Sequence, residues 1–473
     1  IARCVEAEWE VLRLDNGELA LELEFELDLD GVVVKGYIDR IQWWPKLGMV
    51  AVEDTKGLAL DTPLPTPTGW TTMRDVAIGD YLLDQEGKPT KVVAKSEVKY
   101  KQCYSVQMEG AEPIICDDEH LWPTVDGNIG VEELKERLYK WGQRHQRIAN
   151  PLPLNLPEAE LPIDPYVLGI WLGDGRSRGG EITSADHDIF VEIERRGYDL
   201  GKNISGRTAE FAEQRTVYGL TSQLRQLDLL HNKHIPMQYL RGSITQRLDL
   251  LRGLMDSDGT WNTIRQAAQF SSTNERLARD LYELVLTLGY RPYWYAGTAN
   301  GFGKTVDCYV VRFIPDVFNP FLLPRKADVV ELKPNTTSWR RIVQDVQATM
   351  TVPTACIAVD SPTRTFLCGR EMVPTHNTGN ADSVENDPRQ LGLYRLAARE
   401  VYHLDVTHGR YWFTKLDRGS PWVDLSVFTR EQLASDYRKL DRIISEDLMV
   451  PNPGSSCRLC DVKEFCYVGQ LLK

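Results

Sequence analysis

A β-type pattern breaks off near residue 155 of this chain and resumes at 350, and that interruption constrains the fold more than any single motif. Between residues 57 and 155, short apolar runs are separated by Gly79-Asp80, Glu86-Gly87 and Asp126-Gly127, residue pairs that close tight turns. Residues 156–335 read instead as mixed helix and strand, and the β pattern returns over 350–377. Outside both, Glu22 to Asp30 alternates charged and apolar side chains at period two, and Val32-Val33-Val34 and Met49-Val50-Ala51-Val52 read as further strands. Beyond residue 384 helices are expected from Pro388 to Tyr402 and from Thr429 to Asp447. Two halves of a β domain therefore bracket a middle domain, and two outer segments bracket both. At 473 residues the chain has room for such nesting, each part with its own core.

Composition narrows the setting. No run of about 18 apolar residues exists, so no membrane span is expected. The net charge is −13, so any nucleic-acid surface must be a local basic face. The chain starts Ile1-Ala2-Arg3-Cys4, without an initiator Met or the apolar region of a signal peptide, and residues upstream of Ile1 are expected to be missing. Nine cysteines, without disulfide-scaffold spacing before the C-terminus, point to a reducing cytoplasm, that of a bacterial or phage-infected cell.

The β pattern ends at Val373-Pro374-Thr375-His376-Asn377-Thr378, a stretch able to cut its own backbone. The Asn377 amide can close a succinimide on its own carbonyl while His376 moves protons, and Thr378 carries a hydroxyl able to receive an acyl group. Together with GLALDTPLPTPTGWTTMRDVAIGD at 57–80, CDDEHLW at 116–122 and TACIAVDSPTRTFLCG from 354, this stretch resembles an intein, a self-excising element with the Hedgehog/intein (HINT) β fold. Most inteins begin with Cys or Ser, and here Gly57 has no nucleophile. Either the N-terminal junction is dead or another residue attacks it. The resemblance to class 3 inteins implies the second: Trp122 two residues after His120, an internal Cys356, and Thr375 before the terminal His-Asn. It implies that Cys356 attacks the Lys56 carbonyl, that His120 assists the departing amide, and that Thr378 takes the acyl group before Asn377 cyclises with His376. Asp117 stands where many inteins have Thr.

In the middle segment, VLGIWLGDG at 167–175 and LRGLMDSDG at 251–259 each end in Asp-Gly. The pair resembles LAGLIDADG homing endonucleases, which implies two helices crossing at Gly169, Gly173 and Gly253. It also implies that Asp174 and Asp258 meet to hold Mg²⁺ against double-stranded DNA. Lys233-His234-Ile235-Pro236 and Gln246-Arg247 precede the second motif. Arg225, Lys233, Arg241, Arg247 and Arg252 are candidate phosphate contacts. The catalytic Lys that the family implies is not identified by position.

Deleting 57–377 joins Gly36-Tyr37-Ile38-Asp39-Arg40 and Asp54-Thr55-Lys56 to Thr378-Gly379, with Gln390 and Tyr394 following. This resembles RecB-like exonucleases of the PD-(D/E)xK superfamily, with Asp39 and Asp54 as Mg²⁺ ligands, Lys56 orienting water, and Gln390 and Tyr394 on one helix face towards DNA. Cys457, Cys460 and Cys466 resemble the cysteine cluster of iron–sulfur members, a 4Fe-4S site with Cys4 as candidate fourth ligand, or alternatively a Zn²⁺ site.

The expected architecture is multi-domain: an all-β HINT splicing domain at 57–155 and 346–377, with an α+β LAGLIDADG domain at 156–345 nested in it. The host is a split α/β restriction-endonuclease-like domain at 1–56 and 378–473. Splicing needs no partner. The alternative is a degenerate, non-splicing DNA-binding protein with inactive nuclease remnants.

Overall fold

The computed structural model describes residues 10–11, 14, 21–44, 49–53, 57–96, 98–118, 120–140, 142–204, 212–301, 304–332, 340–376, 389–409, 412–413, 418–419 and 423–445. The chain divides into two compact units. One combines 1–54 with 379–413 and 417–473, and the other comprises 55–378 with 414–416. Among the described residues no helix is long and apolar enough to cross a membrane.

In the first unit the strand Val32–Trp44 pairs antiparallel with Leu21–Leu29, Glu10–Val11 and Met49–Glu53. Leu23, Phe25, Leu27 and Leu29 are buried while Glu24, Glu26 and Asp28 face outward, as a period-two strand with one covered face requires. The buried row packs against Leu391, Tyr394 and Ala398 of the helix Arg389–Tyr402 and Leu433 of the helix Arg430–Ser445.

The second unit holds the interrupted β domain and the segment inside it. Eight strands form one sheet in the order Gly127–Gly130, Leu121–Thr124, Arg147–Ala149, Arg340–Thr349, Cys103–Met108, Ile114–Asp117, Leu58–Ala59, Thr354–Ala355. A second sheet runs Ile357–Val359, Pro89–Lys95, Tyr81–Leu83, and the hairpin Thr365–Cys368/Val373–His376 closes the domain. Trp122, Val106, Val343 and Phe366 lie in its core. The strand Arg340–Thr349 pairs along its length with Cys103–Met108 and at its start with Arg147–Ala149. The expected boundary at 345 therefore falls inside a strand of the eight-stranded sheet, and the nested segment ends before Arg340.

The nested domain packs the helix Pro165–Asp174 against the helix Ile244–Asp258. A four-stranded sheet runs Gly259–Asn262, Ala267–Ser272, Lys304–Phe313, Tyr293–Gly301. The two helices touch backbone to backbone. A Cβ on Gly169 would stand 2.4 Å from the Leu250 carbonyl oxygen, and one on Gly253 would stand 2.2 Å from that of Tyr166. Only glycine permits this crossing.

Candidate functional site

Four residues link the two ends of the inserted segment. The Asp117 amide donates to the Gly57 carbonyl at 3.0 Å, and the His120 amide donates to the Asp117 carbonyl at 3.3 Å. His120 Nε2 then lies 2.6 Å from Thr375 Oγ1. Thr375 directly precedes the half-buried His376, in the strand Val373–His376. The Trp122 ring meets the His120 imidazole edge-on at 5.1 Å, and both are buried. Strand pairing explains the convergence: Ile114–Asp117 pairs with Leu58–Ala59, and the loop after it delivers His120 towards the closing hairpin. Asn377, Thr378 and Lys56 lie outside the described residues.

Cys356 is buried beside this chain, with 7% exposure. Thr354–Ala355 pairs with Leu58–Ala59, whereas Ile357–Val359 pairs with Pro89–Lys95, so Cys356 stands at the crossing between two sheets. Gly57, Asp117, His120, Trp122, Cys356, Thr375 and His376 thus share one region, which packing assembles from four separate stretches of sequence.

The second site lies where the two long helices end. Asp174 and Asp258 are the last residues of Pro165–Asp174 and Ile244–Asp258. Burial, then the charge of Asp258, raises the Asp174 carboxyl to about 6, and burial also raises Asp258. Each helix end is capped by a lysine. Lys233 Nζ donates to the carbonyls of Leu172 (3.0 Å), Gly173 (3.1 Å) and Gly175 (2.7 Å). Lys326 Nζ donates to those of Met255 (2.8 Å), Asp256 (2.7 Å), Ser257 (3.1 Å) and Gly259 (2.8 Å). Three carbonyls of the second set stand 84 positions after those of the first, the same offset that separates the aspartates. The two lysines thus cap equivalent carbonyls at the ends of the two helices. Burial lowers both ammonium groups, Lys233 to about 8, against the opposing pull of Asp258 and Asp174.

Asp174 is half-buried and Asp258 exposed, and the Asp258 charge raises the Asp174 carboxyl; such a pair fits a hard divalent cation, which would relieve their repulsion. Among the described residues no group of three or more His, Cys, Asp or Glu gathers, so waters and substrate oxygens would have to complete the shell. Asp256, two residues before Asp258, is not part of this pair. It accepts from Tyr166 Oη at 3.0 Å and from the Leu322 amide at 3.2 Å, and it holds the segment that presents Lys326.

Sequence reasoning missed Lys326 and gave Lys233 a phosphate role. No equal spacing marks them, because Lys233 follows Asp174 by 59 residues and Lys326 follows Asp258 by 68. Three other phosphate candidates are also corrected. Arg247 is fully buried and donates from Nε to the Gly242 carbonyl at 2.9 Å, and from its other nitrogens to Thr287 and Leu154 carbonyls. Arg241 pairs with Glu283 at 2.8 Å and donates to the Thr66 carbonyl at 3.0 Å and the Gly69 carbonyl at 3.0 Å, joining the nested domain to the hairpin Pro63–Thr66/Gly69–Thr72. Arg252 turns inward to the Asn319 carbonyl at 3.2 Å, while Arg225 is exposed.

Of the flanking-domain residues, Asp39 lies on the strand Val32–Trp44 and Gln390 on the helix Arg389–Tyr402. Tyr394 does not face outward. It is buried, edge-on to Phe25 at 6.1 Å, as part of the hydrophobic core. Asp54, Cys4, Cys457, Cys460 and Cys466 lie outside the described residues.

Comparison with known proteins adds the following. Residues 245–313 match the model of the LAGLIDADG-like domain family. The replicative DNA helicase DnaB of Mycobacterium intracellulare is 38% identical over 361 residues, which cover 68% of this chain and 58% of the relative. The DnaB of Mycobacterium leprae (strain TN) is 53% identical over 73 residues, 15% of this chain and 12% of the relative. The chain therefore spans at most somewhat over half the length of these relatives. Among solved structures, the Msm DnaB1 intein splicing domain bound with zinc is 19% identical, covers 68% of this chain and 99% of that one, and has a TM-score of 0.24. I-DmoI in complex with DNA and Mn is 14% identical, covers 32% and 89%, and has a TM-score of 0.23. TM-scores of this size do not establish a shared fold. The relatives are named as helicases, and neither a RecB-like exonuclease in the flanks nor an iron–sulfur cluster receives support. Residues 245–313 thus match the LAGLIDADG-like domain model, within a chain similar over 68% of its length to a mycobacterial protein named as a replicative helicase.

Proposed function

We propose that residues 57–377 are a self-splicing intein carrying a homing endonuclease, which excises itself and joins Lys56 to Thr378. The observation that carries this reading is the chain Gly57–Asp117–His120–Thr375, which ties the start of the segment to its end through hydrogen bonds of 2.6 to 3.3 Å. Excision needs the two scissile bonds near each other, and a buried imidazole between them can serve both. The segment 57–377 is itself 68% of the chain, the same share that matches the M. intracellulare relative. This supports a unit that occurs in more than one host protein, and the helicase name then says nothing about the flanks.

In the proposed course, the Cys356 thiolate attacks the Lys56 carbonyl; the carbon–nitrogen bond to Gly57 breaks, and His120 passes a proton to the Gly57 amine. Thr378 Oγ displaces the thiol from the acyl group. The Asn377 side-chain nitrogen then attacks its own carbonyl, freeing the Thr378 amine, and the acyl group moves from Thr378 oxygen to nitrogen. Incubated full-length chain should yield a 321-residue and a 152-residue product on gels and by mass spectrometry. A single uncut band would favour the degenerate, DNA-binding reading.

For the nested domain we propose metal-dependent cleavage of double-stranded DNA. Asp174 and Asp258 would hold Mg²⁺, whose charge would stabilise the leaving oxygen. Lys233 and Lys326, one per helix end, would face the two strands symmetrically. A plasmid carrying the uninterrupted gene should be linearised by the protein with Mg²⁺; an intact plasmid after prolonged incubation would count against activity.

A further inference from the structure

The splicing reading assigns Cys356 the attack but not what aims it, and this inference rests on that reading. We propose that Gly57 and Ser96 are positioning residues for Cys356, and that position 57 is glycine because the strand carrying the nucleophile occupies the space of a side chain. The register sets Thr354 opposite Ala59 and Ala355 opposite Leu58 and ends there, with Cys356 the next residue on one strand and Gly57 the residue just before the other. A Cβ on Gly57 would lie 2.7 Å from both the carbonyl carbon and the oxygen of Ala355, and 3.2 Å from its nitrogen. These are backbone atoms in a paired strand, and they cannot swing aside as the end of a side chain can. A first residue with any side chain, including the Cys or Ser of other inteins, would push the nucleophile's strand away from the bond it attacks.

The other restraint acts on Cys356 itself. Standing between two sheets, it belongs to neither ladder, and Ser96 meets both its amide and its carbonyl. Its amide donates to Ser96 Oγ at 2.9 Å, and the Ser96 amide donates to its carbonyl at 2.8 Å. Ser96 follows directly on the strand Pro89–Lys95, which pairs with Ile357–Val359, so the clamp is anchored in the sheet. Burial limits the freedom of the thiol further.

The test uses full-length chain with Asn377→Ala, which blocks the C-terminal step, and dithiothreitol, which releases residues 1–56 only where a thioester has formed. Gly57→Ala should lower the release rate by about a hundredfold, the scale of a nucleophile displaced by about 1 Å. Ser96→Ala should slow release about fivefold, in line with loss of one hydrogen bond, and Ser96→Thr, which keeps the oxygen, should recover to within about twofold. Wild-type release by Gly57→Ala, or Ser96→Thr no better than Ser96→Ala, overturns the proposal; if Gly57→Ala fails to fold, the Ser96 pair decides. Release that persists in Cys356→Ala sinks the underlying reading instead. An inert Cys356→Ala beside a fully active Gly57→Ala sinks only the positioning role.

Discussion

His120 Nε2 and Thr375 Oγ1 stand 2.6 Å apart although 255 residues separate them, and both side chains are buried. Hydrogen bonding at that distance in a water-poor site fixes the imidazole orientation on which proton transfer depends. Thr375→Val keeps the shape and removes the hydroxyl. It should slow splicing about tenfold, corresponding to about 1.4 kcal/mol for a buried hydrogen bond, and Thr375→Ser should stay near wild type. The rate of product formation on gels checks this, and equal rates for Val and Ser would show that the hydroxyl is idle.

The two lysines allow the chemistries to be separated. Lys233→Met and Lys326→Met each remove an ammonium group from a helix end near the Asp174/Asp258 pair. Each variant should lose DNA cleavage by about two orders of magnitude, within the range of a single positioned proton-transfer group, and should splice at the wild-type rate. Plasmid cleavage and splicing are measured on the same preparation. A comparable fall in splicing would mean that the substitutions damage the fold.

Asp174 should make divalent-ion binding sensitive to acid. Its folded carboxyl is raised from 3.8 to about 6, first by burial and then by Asp258. A raised acid favours the fold while protonated, so the contribution is fully present below the unfolded value. It is lost as pH climbs through about 6. Metal-free protein should therefore lose stability between pH 4 and about 6, and Mg²⁺, which binds the ionised pair, should restore more at pH 8 than at pH 5. Melting curves with and without Mg²⁺ read the difference, and Asp174→Asn should abolish it. A Mg²⁺ effect equal at both pH values would contradict the assignment.

Gly253→Ala tests the helix crossing. The added carbon would meet the Tyr166 carbonyl oxygen at 2.2 Å and the Gly169 Cα at 2.9 Å, so the helices must part. Overpacking between two backbones should destabilise the nested domain by about 3 kcal/mol, at the upper end for such changes. It should also abolish DNA cleavage by separating Asp174 from Asp258. Denaturant unfolding and plasmid cleavage check this, and an unchanged midpoint would show that the helices adjust.

The sequence alone suggested the nesting, because turn-rich β segments and a mixed segment obey different local periodicities that need no distant contact to read, though the edge at 345 took the strand pairing of Arg340–Thr349 to place. It likewise marked the paired Asp-Gly helix ends, whose glycines and aspartates lie within nine residues of each other. Packing decided what those residues meet. Lys233 and Lys326 share no spacing, and only the capping of two helix ends by their ammonium groups reveals them as a pair. Arg241 and Arg247 read as phosphate contacts while charge was the only guide; burial against backbone carbonyls makes them struts instead. Gly57 changed most. In sequence it is a missing nucleophile, whereas in the fold it is the space that the Ala355 backbone fills. Local chemistry is carried by residue type, and so it can be read along the chain. Van der Waals exclusion and long-range hydrogen bonds depend on which distant strands pair, and only the tertiary structure decides that.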